Sequence, residues 1–176
     1  VPYDFLFVAT GLMLDYRAIA GMDASLIGKD GIASIYAGPA RAAASAAAID
    51  RFIETGGVGL FGRPAGEMKC AGAPLKVTFV ADDKARRTGR RGALKLIYNA
   101  HNPAVFAVPP VHEKVKTLFA ERGVAVYAGH VLKAIEPGAK RATYATPSGD
   151  VTLDSDFIHV VPPMRAPDAV RNSPLP

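Results

Sequence analysis

The sequence predicts an α/β fold in which buried strands alternate with amphipathic helices. Helices are predicted over residues 39–54, about 70–87 and 111–122, and each has proline in or just before its first turn. The short apolar segments 58–62, 93–99 and 124–127 follow one another between these helices, as buried parallel strands do. The alternation β, α, β, α, β indicates a Rossmann-like domain.

Two further stretches predict the edges of this domain. Residues 141–146 and 151–157 flank a Pro-Ser-Gly-Asp turn and predict an antiparallel hairpin. Residues 4–10, 131–135 and 158–161 are apolar and are predicted as strands, with 131–135 extending the parallel sheet. The expected architecture is a three-layer, Rossmann-like α/β domain with an added antiparallel β-hairpin.

The composition is that of one globular domain. The chain has 176 residues, of which 49% are hydrophobic and 21% charged, so a substantial core is expected and disorder is not. A single cysteine excludes an internal disulfide. The four histidines have no ligand spacing, and we expect no metal. No signal peptide and no membrane-spanning run is visible in this sequence, and the opening at Val1 suggests a piece of a larger protein.

The net charge of +5 comes largely from a basic cluster formed by Lys84, Arg86, Arg87, Arg90 and Arg91. Because a helix is predicted to end at residues 88–89, we interpret the cluster as a solvated C-terminus that complements the helix dipole, in preference to an anion site. No aromatic platform accompanies the charge, so no nucleic-acid partner is expected.

The run Gly57-Val-Gly59-Leu-Phe-Gly62 matches the bare dinucleotide-binding pattern G-x-G-x-x-G. These glycines fall inside a predicted strand instead of after it, and the next strand ends without a carboxylate for a ribose. We therefore interpret the match as accidental and do not expect NAD.

Cys70 is the candidate for chemistry. It lies between a predicted strand and a predicted helix, where helix N–H groups and the adjacent Lys69 would stabilise a thiolate. The alternative is an inert buried cysteine, which is the commonest role of a lone thiol, and the position by itself does not decide between the two. Glu67 could serve as a general base, but a solvated loop acid is the commoner role.

Three segments together resemble a known family. They are Tyr-Asp-Phe-Leu-Phe-Val-Ala-Thr-Gly at 3–11, Lys-Cys-Ala-Gly-Ala-Pro-Leu-Lys at 69–76 and His-Val-Val-Pro-Pro-Met at 159–164. In this order they resemble the sulfide:quinone oxidoreductases, FAD-dependent members of the pyridine nucleotide-disulfide oxidoreductase superfamily, and most closely the branch that includes the mitochondrial enzymes. The Cys-Ala-Gly-Ala-Pro run is the narrowest of these signals.

The resemblance implies a flavoenzyme that oxidises sulfide and passes two electrons through FAD to quinone. Cys70 would be the catalytic member of this chain, one of a redox cysteine pair that carries sulfane sulfur. Ala9, Thr10 and Gly11 would lie against FAD, and Pro163 would also contact the cofactor, where the chain returns to the flavin domain.

The same resemblance implies a division of the chain. Residues 1–38 would belong to or lead from the FAD domain, 39–163 would form the central domain, and 164–176 would return toward the FAD domain. The glycine-rich FAD loop, the partner cysteine and the membrane-attaching C-terminal part are absent from this sequence. We therefore expect the full-length protein to be a peripheral membrane protein, and the fragment to be soluble, inactive and unable to hold FAD tightly.

Two competing functions stay open at this point. One is an NAD(P)H-dependent flavoprotein disulfide reductase, which titration with NADH against sulfide would distinguish. The other is a non-catalytic Rossmann-like interaction module with an inert cysteine, which an ordinary thiol pKa near 8.5 would favour.

Overall fold

The structure is a computed structural model, and it describes residues 2–174. Its helices are α1 (Pro39–Thr55), α2 (Ala73–Arg87), α3 (Pro109–Glu121) and the short α4 (Asp168–Arg171). Its strands are β1 (Met13–Leu14), β2 (Ile32–Ala33), β3 (Gly57–Gly62), β4 (Leu94–Ala100), β5 (Val124–Ala128), β6 (Val131–Glu136), β7 (Arg141–Thr146), β8 (Gly149–Asp154), β9 (Phe157–His159) and β10 (Met164–Arg165).

A five-stranded parallel sheet with the order β2-β9-β3-β4-β5 forms the centre of the fold. Strand β3 pairs with β4 through Leu60 opposite Ile97 and Phe61 opposite Tyr98. Because side chains alternate along a strand, Leu60 and Ile97 lie on one face of the sheet, while Phe61 and Tyr98 lie on the other. Both faces are therefore apolar, as parallel sheets require.

Helices cover one face of the parallel sheet. Phe52 of α1 stacks on Phe157 of β9 with ring centroids 5.0 Å apart, and Phe119 of α3 contacts Tyr98 of β4 at 5.3 Å. Leu75 and Ala81 of α2 are buried in the same cluster. The apolar faces of α1, α2 and α3 thus pack on the sheet and form the larger of the two hydrophobic cores.

A three-stranded antiparallel sheet, β6-β7-β8, covers the other face. Ile135 and Tyr144 from this sheet pack with Leu60, Ile97 and Ile158 of the parallel sheet. The predicted three-layer α/β class is confirmed. The added element is larger than the expected hairpin, however, because β6 pairs antiparallel with β7, and the prediction that residues 131–135 extend the parallel sheet is wrong.

The prediction of a strand over residues 4–10 is also wrong. The segment has no regular secondary structure, and Phe5 and Phe7 are 83% and 91% exposed. A strand needs a neighbouring strand to take its backbone hydrogen bonds, and none is present here among the residues that the structure describes. Val1 and the last two residues of the predicted tail, 175–176, lie outside the described residues.

The basic cluster lies at the C-terminal end of α2, with Arg86, Arg87 and Arg90 exposed as predicted, but several of its members also bind groups in other elements. Arg86 and Arg91 both bind the buried carboxylate of Asp82, and the Arg91 side chain is only 18% exposed. Arg90 donates to the carbonyls of Ile53 and Glu54 at the end of α1. These cations therefore join elements, and the buried carboxylate of Asp82 needs such donors. No helix among residues 2–174 is both long and apolar enough to cross a membrane.

Candidate functional site

Cys70 lies on an exposed turn just before α2. Its φ of +55° is in the left-handed region, and its carbonyl accepts a hydrogen bond from the N–H of Ala73, the first residue of the helix, at 2.9 Å. The helix thus begins three residues after the cysteine, later than the sequence predicted, with Pro74 in its first turn. The placement of Cys70 between β3 and α2 agrees with the prediction, while its chemical role stays a prediction.

The turn that carries Cys70 contacts a two-stranded ribbon. Strands β1 and β10 pair antiparallel, with Leu14 opposite Met164, and the N–H of Lys69 contacts the sulfur of Met164 at 3.3 Å. The carbonyl of Pro163 accepts from the N–H of Asp15 at 2.9 Å. Segment 2–12 therefore ends, and segment 166–174 begins, at a ribbon that contacts the cysteine turn.

Tyr36 is a titratable side chain that the structure brings to the turn from a distant part of the chain. Its hydroxyl donates to the carbonyl of Cys70 at 3.5 Å, at the long end of a hydrogen bond. Burial raises the pKa of Tyr36 above its ordinary value, and the neighbouring Cys70 raises it further. Tyr36 therefore stays protonated and can act as a donor. Glu67, the candidate base from the sequence, is exposed.

Arg63 follows β3 directly and supplies positive charge at the carboxyl end of the sheet. Its backbone N–H donates to the carbonyl of Asn99, and its Nη2 donates to the carbonyl of Gly66 at 3.3 Å. Burial, with a contribution from Arg63, lowers the pKa of His101 below its ordinary value. His101 is therefore neutral near pH 7.

A cavity of about 70 Å³ lies between the parallel sheet and the antiparallel sheet, at the carboxyl ends of β3, β4 and β9. Its polar lining is Arg63, Asn99, Tyr144 and His159. Burial lowers the pKa of His159 to about 4, so its imidazole is neutral at physiological pH. Pro163, predicted to contact the flavin, lines the same cavity.

Ala9, Thr10 and Gly11 lie on the exposed segment just before β1. Gly11 has a φ of +74°, and a Cβ built there would meet no atom within 4 Å, so this backbone is open to another molecule. The glycines of β3 are not open in this way, since a Cβ at Gly59 would lie 2.7 Å from the ring of Phe52 and one at Gly62 would collide with the carbonyl oxygen of Asn99. The backbone at residues 9–11 is therefore accessible, whereas the glycines within β3 are closed off by packing.

Comparison with known proteins gives a consistent family. No family model matches the chain. The mitochondrial sulfide:quinone oxidoreductase of Dictyostelium discoideum is 35% identical over 178 residues, and the match covers 99% of this chain and 38% of that protein. The mouse mitochondrial enzyme is 30% identical and is matched over 99% of this chain and 39% of its own length.

The chain is homologous to a part of the sulfide:quinone oxidoreductases. It spans about two fifths of the length of these curated relatives. The solved sulfide:quinone oxidoreductase of Aquifex aeolicus shares the fold with a TM-score of 0.74 and 21% identity, over 97% of this chain and 39% of that one. The resemblance predicted from three sequence segments is thereby confirmed.

Sequence reasoning missed the polar side chains that the structure places around the cavity and the cysteine turn. Arg63 and Asn99 follow or end adjacent parallel strands, and the rule that ligands bind at the carboxyl ends of such strands could have found them. Tyr36 and Tyr144 carried no comparable signal, because they reach the site from a connector and from the antiparallel sheet.

Proposed function

We propose that the protein containing this chain is an FAD-dependent sulfide:quinone oxidoreductase in which this chain supplies the central domain and Cys70. The observation that carries the proposal is the homology over 99% of the chain to two mitochondrial enzymes of that name, at 35% and 30% identity. Sulfide and quinone are accordingly the proposed substrates.

The exposure of Cys70 supports its proposed role. A cysteine that attacks or carries sulfur must be accessible, and a left-handed turn before a helix holds the thiol away from the core. Tyr36 would position the turn through the Cys70 carbonyl. When bound, FAD would accept the two electrons that sulfide loses and deliver them to quinone.

The open backbone of Ala9, Thr10 and Gly11 supports a flavin contact there. Pro163 is proposed as a second flavin contact, where the chain would return to the FAD domain. We propose that the FAD domain and the membrane-attaching part are supplied from outside this chain. The predicted division into 1–38, 39–163 and 164–176 stays a prediction. The burial of Ile19 and Ile32 in the core supports counting residues 16–33 with the central domain.

The test is anaerobic flavin reduction in the full-length protein. Sulfide should bleach the flavin absorbance, NADH should not, and Cys70→Ser should slow the sulfide-driven bleaching at least about a hundredfold, since serine cannot form the sulfur–sulfur bond by which Cys70 would take up sulfur while FAD accepts the two electrons. Ala71→Ser, which puts the same hydroxyl one residue along the turn, should leave the rate within about twofold.

Bleaching by NADH without bleaching by sulfide would replace this proposal with the NAD(P)H-dependent reductase. A Cys70→Ser protein that reacts with sulfide as fast as the unmodified protein would remove Cys70 from the chemistry.

A further inference from the structure

Buried polar groups converge on the cavity at the carboxyl ends of β3, β4 and β9. His159 is 3% exposed and Asn99 is 1% exposed, and both line the cavity. Neither ring nitrogen of His159 has a hydrogen-bond partner among the described residues, and the same holds for Oδ1 of Asn99 and Nε of Arg63. A buried polar atom left unpaired costs about 1–3 kcal/mol, so four around one cavity point to a ligand.

The hydrogen bonds around Asn99 define which groups are available. Its Nδ2 donates to the carbonyl of Phe61 at 3.1 Å and to the hydroxyl of Tyr144 at 3.2 Å. Its Oδ1 is therefore left as an acceptor at the cavity, and the hydroxyl proton of Tyr144 is left as a donor, since burial raises the pKa of that phenol and keeps it protonated.

The available groups specify the charge of the ligand. The donors are the Tyr144 hydroxyl, one N–H of the neutral His159 and Nε–H of Arg63, whose guanidinium is the one cation in the lining. The acceptors are Oδ1 of Asn99 and the second imidazole nitrogen. One cation and three donors match a monovalent anion, and two acceptors match an anion that also bears a hydrogen.

The volume and the apolar walls of the cavity indicate the size and the polarisability of the anion that it would bind. The cavity measures about 70 Å³, several times the roughly 10–15 Å³ that a water molecule needs. Ile19, Phe61, Leu132 and Val161 make the rest of the wall apolar. A weakly hydrated, polarisable anion loses less solvation in such a cavity than a phosphate or a carboxylate does.

We propose that this cavity is a binding site for a small, soft, hydrogen-bearing anion, namely hydrosulfide, held by Arg63, Tyr144, Asn99 and His159. The choice of hydrosulfide rests on the proposed function, whereas the anion class rests on the lining alone. Arg63, Pro64 and Ala65 form one wall and continue toward Cys70, so the site would hold substrate behind the turn that carries the nucleophile.

The experiment uses the full-length Cys70→Ser protein, in which sulfur cannot be taken up at that position, with its histidine imidazoles labelled with ¹⁵N. The His159 signals are assigned by their loss in His159→Gln, and sodium hydrosulfide is added anaerobically. We expect saturable shifts of the His159 ring nitrogens, and bromide, which is soft but bears no hydrogen, should bind at least about tenfold more weakly because it pairs neither acceptor, whereas hydrosulfide can donate to one of them.

Arg63→Lys and Arg63→Gln form a matched pair, because both lose the Arg63 contact with Gly66 and only Gln loses the charge. We expect Arg63→Gln to raise the hydrosulfide dissociation constant at least about tenfold and Arg63→Lys to raise it no more than about threefold. Tyr144→Phe keeps the ring and removes only the hydroxyl, and it should weaken hydrosulfide binding several-fold. This variant tests the site independently if an Arg63 variant fails to fold.

Unmoved His159 signals, or equal weakening by Arg63→Lys and Arg63→Gln, would overturn the site. Shifts with bromide as strong as those with hydrosulfide would overturn the assignment of the ligand. Sulfide-driven flavin bleaching in the unmodified protein with silent His159 signals would leave the proposed function standing and remove this site. Shifted His159 signals without any sulfide-driven bleaching would support the anion site and contradict the proposed function.

Discussion

Asp82 is a fully buried carboxylate that ties three parts of the chain together. It accepts from Arg86 at 2.8 Å, from Arg91 at 2.5 Å and from Arg122 at 2.7 Å. Burial alone raises the pKa of Asp82, but the hydrogen bonds from Arg86, Arg122 and Arg91 outweigh it, so the pKa lies below its ordinary value. The ionised carboxylate therefore holds α2 against Arg91, in the short turn before β4, and against Arg122, at the C-terminal end of α3.

Asp82→Asn should lower the free energy of unfolding of the chain by about 3 kcal/mol at pH 7, because three guanidinium groups lose their shared anion. Since the folded pKa is the lower one, this stabilisation is present above the unfolded pKa of about 3.9 and disappears as the pH falls through the folded pKa. The measurement is urea unfolding of both proteins at pH 7 and at a series of lower pH values, and the two midpoints should approach each other only as the pH falls below about 3.9.

Asp83→Asn is the matched control on the same helix. Asp83 pairs with Arg87, four residues on, but the two side chains are 45% and 78% exposed. Exposed pairs contribute about 0.3–0.5 kcal/mol, so this change should leave the midpoint almost unmoved. Equal effects of the two substitutions would show that Asp82 is not the anchor.

Strand β3 shows what its glycines do. Gly59 lies under the ring of Phe52 in α1, and Gly62 lies against the backbone of Asn99 in β4. The absence of side chains there allows a helix and a neighbouring strand to approach closely, which is a packing role. The dinucleotide-like spacing is explained by that packing.

Gly59→Ala should destabilise the chain by about 1–3 kcal/mol, because the new methyl group overlaps the Phe52 ring and α1 must shift. Thermal unfolding followed by circular dichroism measures the loss. Gly92→Ala is the control, since a Cβ there meets no atom within 4 Å. A fully stable Gly59→Ala protein would contradict the packing explanation and reopen a ligand role for the pattern.

At the scale of the whole molecule, an apolar segment lies outside both cores. Tyr3, Phe5 and Phe7 are 68%, 83% and 91% exposed, and Leu6 and Val8 are also exposed. Monomeric proteins rarely expose so many large apolar side chains in one run. The relatives of this chain are more than twice as long as the matched region. We infer that, in a protein of that length, the additional part would cover this apolar segment.

The double substitution Phe5→Ser and Phe7→Ser should act oppositely in the two contexts. In the 176-residue chain it should reduce self-association, measured by sedimentation velocity, because the exposed rings are removed. In the full-length protein it should lower stability by about 1.5–3 kcal/mol per phenylalanine, because the rings are buried there.

Val108→Ser supplies the control for this comparison. Val108 is 50% exposed at the N-cap of α3, where serine is a favourable residue, so the change should not destabilise the protein in either context. A full-length protein that tolerates the double substitution as well as Val108→Ser would contradict a buried role for the segment.

By itself, the sequence determined the α/β class, the limits of α1 and α3 to within two residues, the β7-β8 turn and the place of Cys70 before α2. These features follow from local signals: helical periodicity, prolines in first turns and glycines after helix ends.

Only the tertiary structure decided the partner of β6, the absence of a strand over residues 4–10 and the cavity around His159. An apolar run has the same local pattern whichever sheet receives it, because pairing depends on which strands are present and reachable in space. Asn99, Tyr144 and His159 meet for the same reason: residues far apart in the chain become neighbours only when two sheets pack face to face.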